Sequence, residues 1–433
     1  MAQAKTVRIA LAGCGTVGGG VARLLSERRA DLADRCGLDL RVVRVLVRDL
    51  GRTRSGPLSA DLLTTRPQDL LDNDIDLVVE LIGGCDTARE IVLSAVRAGK
   101  PVVTANKALI ALHGGEIFEA ARAAGVPVGI EASCCGGIPV IGAIRHGLAA
   151  NRIDALDGIV NGTCNYILTE MLERQKPYAG ALADAQRLGY AEADPTLDVD
   201  GTDSAHKLVI LASLAFHLPI DIRRVRCEGI DQLALNDLLA GSDLGYVCKL
   251  VAQARRFDDG LALQVGPVFM EKTHPLAHVG GPFNAVSVQG HAVGHTFYLG
   301  RGAGAMPTAS AVVADIIEVA SNPQCSDAFP AADPNNPPFY KPLDELDSRF
   351  YVRVPVRDDA GVTGLFAEHE ISVSAVNTIS PDDGTPAQEV SVVVITQQAN
   401  RGRLRRALKA LTGLESIAAD PVAIRILDPH PEM

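Results

Sequence analysis

The sequence has no excess of basic charge: 41 Lys and Arg stand against 52 Asp and Glu over 433 residues, a formal net charge of −11. General nucleic-acid binders and proteins of anionic membrane surfaces need a basic face, so no nucleic-acid partner is expected. Long hydrophobic runs are missing too. The longest largely apolar stretch, residues 208–216, is interrupted by Ser213 and falls far short of the ~18 residues of a membrane helix, so no membrane partner is expected. The amino end runs from MAQAKT directly into the strand-like VRIALAG, without the separate apolar region and cleavage site of a secretory signal. A cytoplasmic location is the expectation. No CxxC occurs, and nine cysteines with one adjacent pair, Cys134 and Cys135, suit neither a disulfide framework nor a zinc site. Low-complexity segments and short-period repeats are absent as well. What is present is 47% apolar and 21% charged residues, enough to bury cores, over a length that predicts two or three domains.

Residues 1–150 alternate short β-branched runs with Ala/Leu-rich helical stretches: VRIALAG, VGGGVARLLSERRADLA, LRVVRVLV, LDNDIDLVVELIG, a helix around 88–98, and PVVTA. That alternation predicts βαβ units, hence a doubly wound α/β domain of the Rossmann type. Residues 151–304 mix helical segments at 181–188 and 203–218 with strand candidates LALQVGPVF and NAVSVQG, and pattern alone assigns them no fold. Six prolines lie in 322–342, so 322–348 reads as an exposed connection. Beyond it FYVRVPV, a short helix at 362–369, ISVSAVNTI, EVSVVVITQ, the helix 401–411 and PVAIRIL spell βαββαβ, a ferredoxin-like plan for 349–433.

Gly13, Gly15 and Gly18, with Thr16 and Val17 between them, form GxGxxG between the first strand and a helix. In that context the first glycine permits a tight turn, the second lets a pyrophosphate approach the backbone, and the third lets helix and strand pack closely. Dinucleotide binding is the expectation; a plain glycine-rich turn is the bland alternative. The next strand ends at Arg48-Asp49, where an acid would bind the ribose diol of NAD and a cation the 2′-phosphate of NADP. Arg48, backed by Arg52 and Arg54, favours NADP(H), with Asp49 keeping NAD(H) open. Ligands bind beyond the carboxyl ends of parallel strands, which places Gly83, Gly84, Thr104, Asn106 and Lys107 toward the nicotinamide.

The densest chemistry lies in GYAEADPTLDVDGTDSAHKLVILASLAF, from Gly189. Asp203 and Lys207 are four apart and share a helix face. The helix continues apolar nearly all round, which demands burial, so the pair points at something enclosed; an ordinary surface pair is the alternative. Glu192, Asp194, Asp198 and Asp200 precede it. No His sits among them at ligand spacing, so an amino-bearing substrate suits them better than a metal, and a solvated acidic loop is the alternative.

The phrases GCGTVGGGV, TANKALIA, EASCCGGIPVI, GIVNGTCNYIL, AEADPTLDVDGTDSAHKLVILA and YLGRGAGAMPTASAVVADI, in order across about 7–320, resemble the homoserine dehydrogenase family. The resemblance implies reversible hydride transfer between NAD(P)H and L-aspartate 4-semialdehyde, giving L-homoserine for threonine, methionine and isoleucine biosynthesis. It implies that Lys207 exchanges a proton with the substrate oxygen and that Lys107 is the second lysine of the site. Glu192 and Asp203, with Asp198 close by, would hold the amino and hydroxyl ends. A proton donor is what a developing alkoxide requires, and a lysine of lowered pKa can serve. It implies further that the carbonyl oxygens of Glu131, Cys134, Gly136 and Ile138 bind a monovalent cation, usually Na+. Gly189, Gly302 and Gly304 would line the cofactor, and a helix at about 305–321 would complete the nucleotide domain. Arg301 stands where the family commonly has proline, and Cys134 and Cys135 replace small or aliphatic residues.

With no kinase-like portion ahead of the glycine loop, the monofunctional type is expected. The βαββαβ end resembles an ACT domain, which implies L-threonine as effector and a homo-oligomer, dimer or tetramer. The ten residues from Gly361 up to the strand at Ile371 leave its first helix short, so a weak or missing threonine response is expected. Two rivals remain. Aspartate-semialdehyde dehydrogenase would need a nucleophilic cysteine, Cys134 or Cys135. A non-enzymatic amino-acid sensor would bind NADP(H) without oxidation.

Overall fold

The computed structural model describes residues 4–52, 56–322, 329–331, 337–357, 361–379 and 390–428. Arg54 and much of the 322–348 connection therefore lie outside the described residues. The chain forms two compact units, Met1–Val160 with Asp203–Val225 and Phe283–Pro338, and Asn161–Thr202 with Arg226–Pro282 and Phe339–Met433.

In the first unit β1 (Lys5–Ala12), β2 (Leu38–Leu46), β3 (Leu63–Thr64), β4 (Leu77–Glu80), β5 (Val102–Thr104) and β6 (Val128–Gly129) make a parallel sheet of order β3-β2-β1-β4-β5-β6. This is the doubly wound order whose reversal beside β1 places ligands at the strand ends. Helices α1 (Thr16–Glu27), α2 (Arg29–Cys36), α3 (Asp86–Arg97), α4 (Lys107–Ala124) and the short α5 (Val140–Gly142) connect or follow these strands. The stretch expected as one helix after the glycine loop is two, α1 and α2, divided at Arg28. The long helix α11 (Ala305–Ser321) buries Ala309, Val312 and Ile316 against Ile9, Leu11 and Val79 of the sheet, in one continuous core. The return helix at 305–321 does pack onto the nucleotide fold. The same unit holds β7 (Ile153–Ile159), β11 (Phe283–Gly290) and β12 (Gly294–Arg301), an antiparallel trio centred on β11. It also takes in nearly all of α9 (Thr202–Phe216), an apolar helix whose burial was legible and which ends at His217 with φ 53°.

The second unit contains α6 (Gly162–Glu173), α7 (Tyr178–Arg187), α8 (Thr196–Val199), β8 (Arg226–Cys227), α10 (Leu235–Asp243) and the long hairpin β9 (Tyr246–Phe257) and β10 (Gly260–Glu271). After them come β13 (Asp347–Val356), α12 (Val362–Glu368), β14 (Val373–Ile379), β15 (Val390–Thr396), β16 (Ala399–Asn400), α13 (Arg401–Leu411) and β17 (Val422–Leu427). The four main strands pair in the order β17-β13-β15-β14, antiparallel throughout, around a core of Phe350, Val352, Phe366, Leu404 and Leu411. That is the ferredoxin-like plan.

This module is not set apart. Its β17 pairs in parallel with β10, Val268 opposite Arg425 and Met270 opposite Leu427. Tyr351 and Arg353 of β13 both hydrogen-bond the fully buried carboxylate of Asp237 on α10, Arg353 through Nε at 2.6 Å. The edge formed by β17 is thus covered by the same chain, and among the described residues of this module β14 is left as a strand edge of the kind that recruits another chain.

A buried lysine ties this unit together. Lys249 on β9, 3% exposed, donates to Asn165 Oδ1 (3.0 Å) and Val279 O (2.6 Å). Burial presses its pKa down to about 8. The folded protein then binds fewer protons than the unfolded chain between about pH 8 and the ordinary lysine value of 10.5. Folding carries the full penalty, about 3 kcal/mol, below that window and loses it as the pH rises through it. Urea unfolding of Lys249→Met should show a shallower rise of stability across that window than the native chain; identical pH slopes would refute it.

Candidate active site

The glycine loop has the geometry its pattern requires. Gly13 has φ +102°, and a Cβ on it would lie 2.8 Å from the Leu81 carbonyl oxygen; a Cβ on Gly18 would lie 2.3 Å from the Gly13 carbonyl oxygen. Gly15, between them, has open space where its Cβ would be. Thr16 begins α1 at the surface, Val17 packs against the sheet core, and no acid occupies the first turn. The helix amides are therefore free of a carboxylate competitor for an anion.

Arg48 is exposed just past β2, and among the described residues no carboxylate pairs with it. Asp49 turns its Oδ1 to the Gly51 amide at 2.8 Å. At the ends of β4 and β5, the Glu80 carboxylate accepts from the Ile82 and Gly83 amides and from the Thr104 hydroxyl, the last at 2.6 Å. Thr104 is fully buried, so its hydroxyl braces the loop at Gly83 and does not face outward. Asn106 caps α4 by accepting from the Leu109 amide, and its Nδ2 donates to the Gly84 carbonyl at 2.5 Å.

That cap fixes Lys107, the first residue of α4, and here the two lysines meet. Lys107 Nζ lies 3.0 Å from Asp203 Oδ1, and Lys207 Nζ lies 2.7 Å from Asp203 Oδ2. Lys207 also donates to the Val160 carbonyl at 2.6 Å. The Asp203 side chain is 7% exposed and Lys207 11%, whereas Lys107 keeps 43% of its surface in solvent. Burial works against the Lys207 ammonium, but the Asp203 carboxylate outweighs it and the net pKa is raised. This corrects the expectation of a lysine of lowered pKa: one carboxylate shared by two ammoniums reverses the desolvation effect. The carboxyl of Asp203 is held far below the usual range by the same pair, against its own burial.

Asn284, which spacing gave no reason to select, donates Nδ2 to the same Val160 carbonyl at 2.9 Å. Its side chain fills the place of a Gly302 Cβ, which would lie 2.1 Å away, so Gly302 is required there by contact. Gly304 has φ +124° and opens α11. Gly137 donates to the Arg301 carbonyl, and a Cβ on Gly136 would come within 2.6 Å of the Gly302 carbonyl oxygen. The segments 134–138 and 301–304 are thereby laid side by side.

Cys134 and Cys135 are buried, and burial pushes both thiols up, Cys135 to about 11. Neither is the ready thiolate that thioester chemistry needs. Among the described residues no cluster of His, Cys, Asp and Glu side chains could hold a metal. The stretch 131–138 offers main-chain oxygens instead. The Glu131 carboxylate accepts from the Ile141 and Gly142 amides, at 2.9 and 2.6 Å, and the Glu131 and Ile138 carbonyls accept from the Cys134 and Val140 amides. Cys135 (φ 53°) and Gly136 (φ 40°) turn the chain between the carbonyls of Cys134 and Ile138.

In the other unit, the acidic stretch divides by role. Just ahead of α8, Asp194 accepts from the Thr196 amide and hydroxyl, and Asp200 accepts from the Thr202 amide. Asp198 is half-buried and accepts from Asn161 Nδ2 at 2.8 Å. Glu192 is exposed, and among the described residues its carboxylate has no partner. Gly189, φ +76°, ends α7 and starts this loop.

Comparison with known proteins agrees with this geometry. Residues 13–131 match the model of the homoserine dehydrogenase NAD-binding domain, and 139–317 that of homoserine dehydrogenase. The homoserine dehydrogenase of Pseudomonas aeruginosa is 42% identical, with 98% of this chain and 99% of that protein aligned. This chain belongs to the homoserine dehydrogenase family. The Bacillus subtilis enzyme is 36% identical over 95% of this chain and 96% of its own. A crystal structure of the Thiobacillus denitrificans homoserine dehydrogenase superposes with a TM-score of 0.89 at 40% identity, covering 98% of this chain and 99% of that one. A hyperthermophilic archaeal homoserine dehydrogenase in complex with NADPH gives 0.62 at 26% identity, covering 74% and 99%. The family's reaction is the reversible NAD(P)H-dependent reduction of L-aspartate 4-semialdehyde to L-homoserine, an oxidoreduction at a CH-OH group.

Proposed function

We propose that Lys207 exchanges the proton with the substrate oxygen in this reaction, that Asp203 and Lys107 fix its charge state, and that Glu192 and Asp198 hold the substrate amino group. The observation that carries the proposal is the single shielded carboxylate of Asp203, with one oxygen on each lysine. A nicotinamide cofactor, when bound, supplies or removes the hydride. In the reducing direction the Lys207 ammonium gives its proton to the oxygen as negative charge develops there, and in the oxidising direction the amine takes it back. Lys107, the more exposed cation, stabilises the same developing charge. Glu192, an uncommitted acid, offers a counter-charge to an ammonium group.

The cofactor would lie along the Gly13-Gly15-Thr16-Val17-Gly18 turn, with Gly83, Gly189, Gly302 and Gly304 leaving it room. NADP(H) is favoured over NAD(H), because Arg48 is exposed without an acidic partner among the described residues while Asp49 is engaged in a turn. Arg48→Ala should raise the KM for NADP about tenfold and leave NAD nearly unchanged, since only NADP carries the phosphate that a guanidinium grips. Equal loss with both cofactors would move that contact elsewhere. The carbonyls of Glu131, Cys134, Gly136 and Ile138 would hold Na+, steadying the turn that lies against Gly302.

We further read the chain as a cytoplasmic enzyme of threonine, methionine and isoleucine biosynthesis. Its ferredoxin-like end serves as an ACT-like module, paired through β14 into a dimer or tetramer and responding weakly to L-threonine. Rates of NADP and NAD reduction with L-homoserine, with and without Na+ and threonine, test these assignments together. Strong threonine inhibition would overturn the reading of the short helix α12, whose seven residues span Val362–Glu368.

A further inference from the structure

The Val160 carbonyl that anchors Lys207 is held from a second side. Val160 follows directly on β7 and lies just beyond the ladder with β11, whose last rung sets Ala285 opposite Ile159. One step further, the same register would bring Asn284 opposite Val160, but the ladder stops. The Asn284 side chain takes the place of the missing rung, its Nδ2 donating to the Val160 oxygen at 2.9 Å. Asn284 is itself fixed by the other neighbour of its strand, since it pairs with Gly300 of β12. A carbonyl oxygen accepts two hydrogen bonds. Here one comes from a side chain seated on a sheet, and the other from the Lys207 ammonium at 2.6 Å.

The consequence for Lys207 follows from its hydrogens, of which an ammonium has three. One goes to Asp203 Oδ2 and one to the Val160 oxygen. Among the described residues a single N–H is uncommitted, and the two acceptors set its direction through the tetrahedral angles at nitrogen. Asp203 is braced by Lys107, and the Val160 oxygen is braced by Asn284. The same amide lies against Gly302, where a Cβ would come 2.1 Å from its Cγ, and it stands beside the Cys135 thiol. The anchor of the lysine is thereby tied to the segment 301–304, whose glycines are proposed above to line the cofactor.

Stability alone gives no reason for an amide at this position. Asn284 is 1% exposed, and its Oδ1 is buried with no hydrogen-bond partner among the described residues. An acceptor left in that state costs stability. Turning the amide over would set its oxygen against the Val160 oxygen. An apolar side chain of similar size would fill the space without the penalty, and the Val160 oxygen would still be satisfied by Lys207. A buried polar group that a fold carries at a loss calls for an explanation in function. We propose that Asn284 is a positioning residue for the proton transfer: it fixes the Val160 oxygen, and through it the aim of the uncommitted Lys207 N–H, relative to the segment at Gly302.

This rests on the role proposed above for Lys207, and the two can fail separately. Asn284→Ala in the full chain should lower kcat for L-homoserine oxidation by about tenfold or more, the result of a misaimed proton acceptor. The KM for L-homoserine and the dissociation constant of NADP, the latter read by fluorescence without turnover, should each stay within about threefold of native, since neither ligand is held by this amide. Asn284→Ser, which also lacks the amide but keeps a polar group in its place, is read by the same criteria and serves if the alanine variant folds poorly. The sharpest readout is a double-variant cycle. A residue that acts through Lys207 has nothing left to position once the lysine is gone, so Asn284→Ala added to Lys207→Ala should cost less than about threefold in the residual turnover. A smaller loss of kcat in the single variant, NADP affinity that falls in step with kcat, or a loss that multiplies in full on the Lys207→Ala background overturns the proposal and leaves the lysine reading standing. Native kcat in Lys207→Ala overturns the lysine reading, and the proposal with it, whatever Asn284→Ala shows.

Discussion

Lys207→Ala should lower kcat by ~10²–10⁴-fold, the range typical for removal of a general acid or base, while NADP still binds with nearly native affinity. The separation follows from position: among the described residues Lys207 donates to Asp203 and the Val160 carbonyl, whereas the expected phosphate contacts lie at the turn before α1. Truncation leaves Asp203 its contact with Lys107, so the carboxylate remains paired and the fold should tolerate the change. Steady-state kinetics with L-homoserine, alongside NADP titration by fluorescence, separate the two effects. A variant that kept more than about a tenth of native kcat would remove Lys207 from the chemistry, since that loss is below the ~10²–10⁴-fold that a general acid typically contributes.

The parts of this site that were legible in the sequence are those made by near neighbours in the chain. The glycine turn is fixed by spacing within six residues, because each glycine answers a local steric demand: φ +102° at Gly13, and a contact of 2.3 Å below Gly18. The Asp203–Lys207 pair follows from the 3.6-residue helical period, and the apolar continuation of α9 announced its burial. The arrival of Lys107 at the other oxygen of Asp203 had no such signal, since nearly a hundred residues separate them: the strand-end rule placed Lys107 toward the nicotinamide, and the family resemblance made it the second lysine of the site. Asn284 went unnoticed because its place is defined by what the fold lays beside it, the Val160 carbonyl and Gly302.

Periodicity gave the strand and helix order of the carboxyl-terminal module, and the helix 401–411 lies where it was expected. The parallel pairing of β17 with β10 is a contact between strands more than 150 residues apart, and no local pattern encodes it. The carboxylates of 192–200 were read as one cluster. Asp194 and Asp200 instead accept the backbone amides two residues on, at Thr196 and Thr202, a use of aspartate that Asp-Pro-Thr and Asp-Gly-Thr already suggest.

Asp203→Asn should produce the second large effect, and its pH dependence is the sharper test. The amide keeps the size of the side chain and an acceptor for one lysine, but removes the only carboxylate that either lysine touches among the described residues. In the native chain that carboxylate outweighs burial and raises the Lys207 pKa, so the ammonium persists above the ordinary lysine value of 10.5. Without it, desolvation and the nearby Lys107 ammonium both act against the charged form, and the pKa falls below that value. Reduction of the semialdehyde needs the protonated lysine. Its rate should therefore decline at lower pH in the variant than in the native chain, on top of a loss of kcat of about a hundredfold from misdirected lysines. Oxidation of L-homoserine needs the free amine, so its profile should shift in the same direction, with activity appearing at lower pH. The shift also has a stability counterpart. A raised Lys207 pKa contributes stability that is complete below the unfolded value and is lost as the pH climbs through the folded one, and the variant forfeits that contribution at neutral pH. A variant whose two pH profiles coincide with those of the native chain would show that Asp203 does not set the charge of Lys207.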